Sequence, residues 1–210
     1  MSDLTQDQRL ISIASPLAKD ELLLSSFEGV EYISGLFEFK IQVVSKNHAI
    51  QPQQLVGKPI TITVQDDNKR SFNGYVSEFV FGESTDKNLR IYHLTMVPWL
   101  WFLSKTHNNR IFQEKTTREI VIEVFQDLGF NDFDFLAEGN KAPREYCVQF
   151  NESDLNFVSR LLEVDGIAYF LTHQDSAHVL TIVDENQSFP DCKKTNLTYS
   201  QGSHLTANIS

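Results

Sequence analysis

The chain has 210 residues, 41% of them hydrophobic and 22% charged, an ordinary globular balance with enough length to bury a core of its own. Its formal charge is −10, and no Lys/Arg cluster offers a local exception, so nucleic acid and anionic membrane surfaces are excluded as natural partners. Phe 16 against Gly 9 and Pro 6 argues against disorder.

The amino-terminal "MSDLTQDQRL" has acids where a signal peptide needs a basic stretch and an apolar run, and no segment approaches the ~20 apolar residues of a membrane span. Synthesis in the cytoplasm is expected, without a signal peptide or membrane anchor. Next, "RLISIAS" alternates at period two, followed by "ELLLSSFEG". In "LFEFKIQVVS", Phe37, Phe39, Ile41 and Val43 share one face, with Glu38, Lys40 and Gln42 on the other. "PITITVQ" repeats the alternation, "DDNK" at 66–69 supplies a turn into "RSFNGYVSEFVFG", and "LRIYHLTMVP" closes at Pro98. Five or six short antiparallel strands with polar turns predict a small barrel or strongly curved sheet over roughly 8–100.

The pattern then changes. "PWLWFLSKTHNNRIF" is aromatic without alternation and reads as a short helix or packed connection. "TTREIVIEVFQDLGF" is a helix near 117–128: Thr116 and Glu119 form a capping box, Ile120, Val124 and Leu128 line one face, and Gly129 stops it. "NDFDFLAEGNKAPR" reads as loop and "EYCVQF" as strand. In "QFNESDLNFVSRLLEVDG" a helix is expected near 152–164, capped by Asn151 or Ser153 and ended by Gly166. Leu155, Val158 and Leu162 form one apolar row, with Phe157, Leu161 and Val164 beside it. "IAYFLTHQDSAHVLTIVDE" is a hairpin turning at "HQDSA", and the tail "YSQGSHLTANIS" is polar.

Candidate chemistry is thin. Glu152 and Asp154 suit a helix amino end, and Glu163 and Asp165 a solvated last turn, which separates the two carboxylate pairs by about 16 Å along the axis. Cys147 and Cys192 fit neither a CxxC nor a zinc spacing and are expected as reduced thiols, Cys147 as a small hydrophobe in its strand. His173, His178, Asp175 and Asp184 border one hairpin, but a complete metal set is not evident, so no metal or cofactor is assigned. The one enzymatic alternative is a hydrolase pairing Glu152 or Asp154 with His173 or His178. The glycines of "GVEYISG" open no helix after a strand and make no phosphate cradle. No catalytic set emerges, and assembly is the natural destination.

Several blocks in order resemble the amino-terminal part of the VgrG family, the spike proteins of bacterial type VI secretion systems, and more distantly the tail hubs of contractile phages. They are "FEGVEYISGLFEFKIQVVS" (27–45), "LVGKPITITV" (55–64), "FNGYVSEFVFG" (72–82), "YHLTMVPWLWFLSKTHNNRIFQEKTTREIV" (92–121) and "YCVQFNESDLNFVSRLLEVDGIAYF" (146–170). In the last, Gln149, Glu152, Ser153, Asp154, Phe157, Arg160, Leu161, Gly166, Ile167, Tyr169 and Phe170 match the family run. Phe150 stands where a tyrosine is usual, and Val164-Asp165 where an acidic pair is usual.

The resemblance implies a mostly β, α+β tail-hub fold: a β-barrel with helical insertions and an α/β hairpin segment, stopping before or within a second barrel. The expected division is 1–100 for the first barrel, 101–190 for the helix-containing segment, and 191–210 as a lead into an incomplete second barrel. The family implies a homotrimeric, non-enzymatic hub that docks on the hexameric Hcp tube, carries a needle and effector proteins, and is exported by the type VI machine. A contractile-phage baseplate hub is the near alternative. Six residues are expected in packing and interface roles. Phe157, Leu161 and Arg160 dock the second helix, with Arg160 in a buried or half-buried ion pair. Trp99 and Trp101 cover the barrel's edge, and Glu152 sits at the helix start.

Overall fold

The computed structural model describes residues 5–66, 69–139 and 142–190. Cys192 and the polar tail lie outside the described residues, as do two residues of the expected 66–69 turn. The fold is α+β and mostly β. Six strands make the first sheet: β1 (Ile11–Ala14), β2 (Leu23–Val30), β3 (Glu38–Ser45), β4 (Pro59–Val64), β5 (Arg70–Ser84) and β6 (Arg90–Val97). Their spatial order is β1-β4-β5-β6-β3-β2, every pairing antiparallel. The alternation in β3 is realised directly, with Phe39, Ile41 and Val43 buried and Glu38, Lys40 and Gln42 turned outward. Each such large side chain withdrawn from water contributes about 1.5–3 kcal/mol. Bulges at Val76/Glu78 and Phe81/Ser84 bend the long β5, and curvature of this kind brings a sheet round on itself.

The nearly closed barrel is completed by a side chain at the meeting of β1 and β2. The buried Gln6 donates Nε2–H to the Ile13 carbonyl at 3.2 Å, while its Oε1 accepts the amides of Ile13 (2.9 Å) and Leu24 (3.1 Å). One carboxamide thereby replaces the ladder that two edge strands would otherwise share. The barrel core gathers Phe37, Phe39, Ile41, Ile50, Leu55, Ile62, Tyr92, Leu94 and Met96. Gly74 is required there by close approach, because a Cβ would stand 2.5 Å from Met96 Cγ and 2.7 Å from the Val97 carbonyl.

Beyond Pro98 the chain forms a 3-10 segment, Trp99–Lys105, and then a strand, β7 (His107–Lys115). The sequence predicts a short helix or packed connection over 98–112, so the strand is a correction. β7 was hidden because "HNNRIFQEK" has polar residues on both faces. α1 (Thr117–Asp127) follows, with the capping box formed as expected: Thr116 Oγ1 accepts from the Glu119 amide, and Glu119 accepts from the Thr116 amide. The stretch read as loop holds a short strand, β8 (Phe133–Phe135). β9 (Arg144–Ser153) pairs antiparallel with β7 as a two-stranded ribbon and runs straight into α2 (Asp154–Val164). Ser153 caps α2, its Oγ accepting from the Asn156 amide, and Gly166 ends it at φ +68°.

The hairpin of β10 (Ala168–His173) and β11 (His178–Val183) accepts β8 as a parallel neighbour of β11. A second core lies among these elements, holding Trp99, Leu103, Phe112, Ile120, Phe125, Phe157, Leu161, Ile167 and Ile182. Leu171 packs against both cores. Among the described residues, no helix is long and apolar enough to cross a membrane.

Candidate functional site

The carboxylates that raised the question of chemistry are structural. Asp154, at the first turn of α2, is fully buried, which a dipole-favouring surface acid would not be. Its oxygens accept from Gln149 Nε2 and Thr106 Oγ1, both at 2.7 Å, from Asn108 Nδ2 at 3.1 Å, and from Arg110 at 3.2 Å. Its amide donates to the Thr106 carbonyl at 3.0 Å. Burial opposes ionisation, but the three neutral donors and the Arg110 guanidinium outweigh it, and the carboxyl sits below the ordinary aspartate range. This single group ties the 3-10 segment's exit, β7, β9 and α2 together. The sequence reading assigned Asp154 to the helix dipole and missed its partners. The signal was the alternating polar residues Thr106, just before β7, and Asn108 and Arg110 within it.

Glu152 is bound to Arg160, whose NH2 donates to Oε1 at 2.6 Å and also reaches the Val148 carbonyl at 3.3 Å. The Arg160 side chain is 48% exposed and Glu152 21%. Asp165 corrects another expectation: its side chain is 6% exposed and accepts from Arg144 at 2.7 Å rather than standing in a solvated turn. Val164, grouped with the apolar row, faces solvent instead. Phe157 stacks on Phe112 with centroids 5.6 Å apart, and Leu161 is buried in the same core. Trp99 is buried in the second core, against Phe125 and Phe130, while Trp101 lies half-buried under Lys105, its ring 4.2 Å from the ammonium nitrogen.

The two hairpin histidines face each other across β10 and β11, and both accept backbone N–H groups. His173 Nδ1 accepts from Asn73 of β5 at 3.0 Å, and His178 Nε2 from Trp99 at 2.9 Å. Burial, and then the neighbouring His173, pull the His178 pKa down to about 4. The proposed acid–base partners are thus engaged separately: Glu152 by Arg160, Asp154 by its four donors, and the imidazoles by the barrel and the 3-10 segment. No group of His, Cys, Asp and Glu suited to a metal ion occurs among the described residues. Cys147 is buried, and burial pushes its thiol up from the ordinary value, so the unreactive role expected of it fits.

What the surface offers instead is the outer face of the β7–β9 ribbon. Ile111 pairs across to Val148, and Tyr146 and Phe150 continue the same row along β9. All four are exposed, Phe150 to 77%. The usual sense of alternation is inverted here: Cys147 and Gln149 point inward, Gln149 to reach Asp154, so the more apolar row of "YCVQF" points out. Ile111, Tyr146, Val148 and Phe150 together give the ribbon an exposed apolar row.

Comparison with known proteins places this geometry. Residues 30–208 match the family described as phage tail baseplate hub (GPD). Two type VI secretion spike proteins of Pseudomonas aeruginosa are similar: VgrG1b at 37% identity and VgrG1c at 36%, each over 86% of this chain and 25% of the relative. A solved E. coli protein, a component of the type VI secretion system with structural similarity to the T4 tail proteins gp27 and gp5, superposes with a TM-score of 0.76. It is 24% identical, over 86% of this chain and 50% of that one, which bears on the fold alone. The chain spans about a quarter of the length of the curated relatives it matches. Barrel, ribbon and capped helices, carried on a sequence matched over most of its length, establish that the chain belongs to the phage tail baseplate hub family, together with the VgrG spike proteins.

Proposed function

We propose that this chain is the hub segment of a type VI secretion spike, a scaffold rather than an enzyme. Three copies form a collar that docks on the hexameric Hcp tube and carries the needle and effectors, and the type VI machine exports the assembly. In this reading the barrel over 1–100 is the first hub barrel, and the helix-containing segment over 101–190 is the second body of this chain. The observation that carries it is the identity to spike proteins across both bodies. The outward apolar row of Ile111, Tyr146, Val148 and Phe150 supports it, since a scaffold needs faces that neighbours cover.

Sedimentation of the chain alone and mixed with purified Hcp hexamer tests the reading. The expected result is a heavier species in the mixture that Phe150→Asp weakens without altering the thermal unfolding of the isolated chain. Absence of any complex, in the chain and in a longer version carrying the rest of the hub, would overturn it. The family description equally covers phage baseplate hubs, so that reading stands as the alternative, and binding to a phage tube protein but not to Hcp would favour it. The hydrolase reading is checked by assaying wild type and Glu152→Gln on peptidoglycan and model esters, with no turnover expected from either.

A further inference from the structure

The hairpin histidines sit where the two cores meet, and nothing in the scaffold reading requires imidazoles there. Phe37, buried in the barrel, packs against both, its centroid 4.9 Å from the His173 ring and 5.5 Å from the His178 ring, with the two imidazoles 6.1 Å apart. Phe39 and Phe72 close on His173 from the barrel side, at 6.1 and 5.4 Å. Asn73 completes the clamp: its side-chain amide donates to the carbonyls of Gln174 (2.5 Å) and Ala177 (2.9 Å) at the hairpin turn. The hairpin is therefore held to the barrel and to the 3-10 segment by a set of hydrogen bonds in which two acceptors are ring nitrogens.

A ring nitrogen that accepts an N–H must be unprotonated. Protonating His178 at Nε2 would set its new N–H against the Trp99 amide. We propose that His178 makes this junction an acid-sensitive latch: proton uptake there breaks the Trp99 contact and lets the β10–β11 hairpin part from the 3-10 segment and the barrel beside it.

The surroundings set the order of events. Glu31, from the turn after β2, lies 3.2 Å from His173 Nε2, within charge-pair distance though without an aligned hydrogen bond, and Arg70 competes for the same carboxylate at 3.4 Å. Among the described residues, no carboxylate is within ion-pair distance of His178: Tyr75 lies with its ring centroid 6.2 Å away and near perpendicular, and Asp132 lines the same small crevice. Lys69 and Asp175 pair with each other at the exposed hairpin tip, 3.3 Å apart. His178 is thus the group whose charging is least tolerated in the closed state, consistent with its pKa of about 4. A depressed value means that closure is fully favoured above the ordinary histidine pKa of about 6.5 and is lost as pH falls toward about 4.

Amide hydrogen exchange on the whole chain, corrected for intrinsic rates, tests the latch. With His178 titrating near 6.5 when open and near 4 when closed, protection of the Trp99 amide should fall about 30-fold between about pH 7.5 and about pH 5. Amides in the middle of the β3–β6 ladder should lose less. His178→Gln supplies a carbonyl oxygen that accepts from Trp99 and does not titrate, so protection there should become flat with pH. An equal fall in that variant, or unchanged protection in wild type, would overturn the proposal. Should the variant fail to fold, an NMR titration of the His178 ring in wild type decides: a midpoint near 4 supports the latch and one near 6.5 refutes it.

Discussion

Replacing Asp154 with Asn keeps the shape of the side chain and removes its charge. Four donors converge on the carboxylate from outside α2: Gln149, Thr106, Asn108 and Arg110. An amide can still accept on one oxygen, but its NH2 then faces groups that are themselves donors. Thr106 can turn its hydroxyl to accept, whereas Asn108 Nδ2 and the guanidinium cannot. Removing one partner of a buried pair costs about 3–5 kcal/mol. Arg110 softens that cost, because its side chain is 20% exposed and its other nitrogen keeps Asp127 at 3.1 Å. The loss should therefore fall near the lower end, at about 3 kcal/mol.

Urea unfolding at neutral pH measures it. With a slope of about 2 kcal/mol/M, the midpoint should drop by about 1.5 M with the slope unchanged. Acid provides a second signature. The native carboxyl sits below its unfolded value of 3.8, so its stabilisation is complete above that pH and fades below it as the native group takes up its proton. The difference between wild type and variant should shrink on that side only. Changing both Asp154→Leu and Arg110→Met should cost less than Asp154→Leu alone, because no uncompensated charge remains. A loss below about 1 kcal/mol in Asp154→Asn would mean that water or mutual pairing satisfies the donors, and the account of this junction would fall.

Gln6→Ala should leave the amides of Ile13 and Leu24 without their partner at the barrel seam, lowering stability by about 2 kcal/mol and raising exchange at those two amides before the rest of the sheet. Gly74→Ala should destabilise by about 1–3 kcal/mol, seen as a lower melting temperature, because Met96 and the Val97 carbonyl leave no room for a Cβ. The Glu152–Arg160 pair should show a coupling of under about 1 kcal/mol in a double-mutant cycle with Glu152→Gln and Arg160→Met, since half of the arginine is in solvent.

Much of the fold was legible in local chemistry. The strand of Phe37 to Val43, the capping box at Thr116, the cap at Ser153 and the stop at Gly166 each follow from contacts within a few residues, so period and spacing suffice. β7 and β8 were not legible: the one has polar residues on both faces and the other is three residues long, and each exists because a distant strand pairs with it.

What the amino-acid sequence determined by itself was the set of elements other than β7 and β8, the family and the lack of a local catalytic motif. Only the tertiary structure decided which side of β9 faces inward, because Gln149 had to meet a buried Asp154, and that meeting turns Tyr146, Val148 and Phe150 toward solvent. It likewise decided that Gln6 closes the barrel and that two histidines join the β10–β11 hairpin to the barrel and the 3-10 segment. The physical reason is common to all three: a buried polar group must find its partner wherever the chain brings one, and no periodicity along the sequence records how far away that will be.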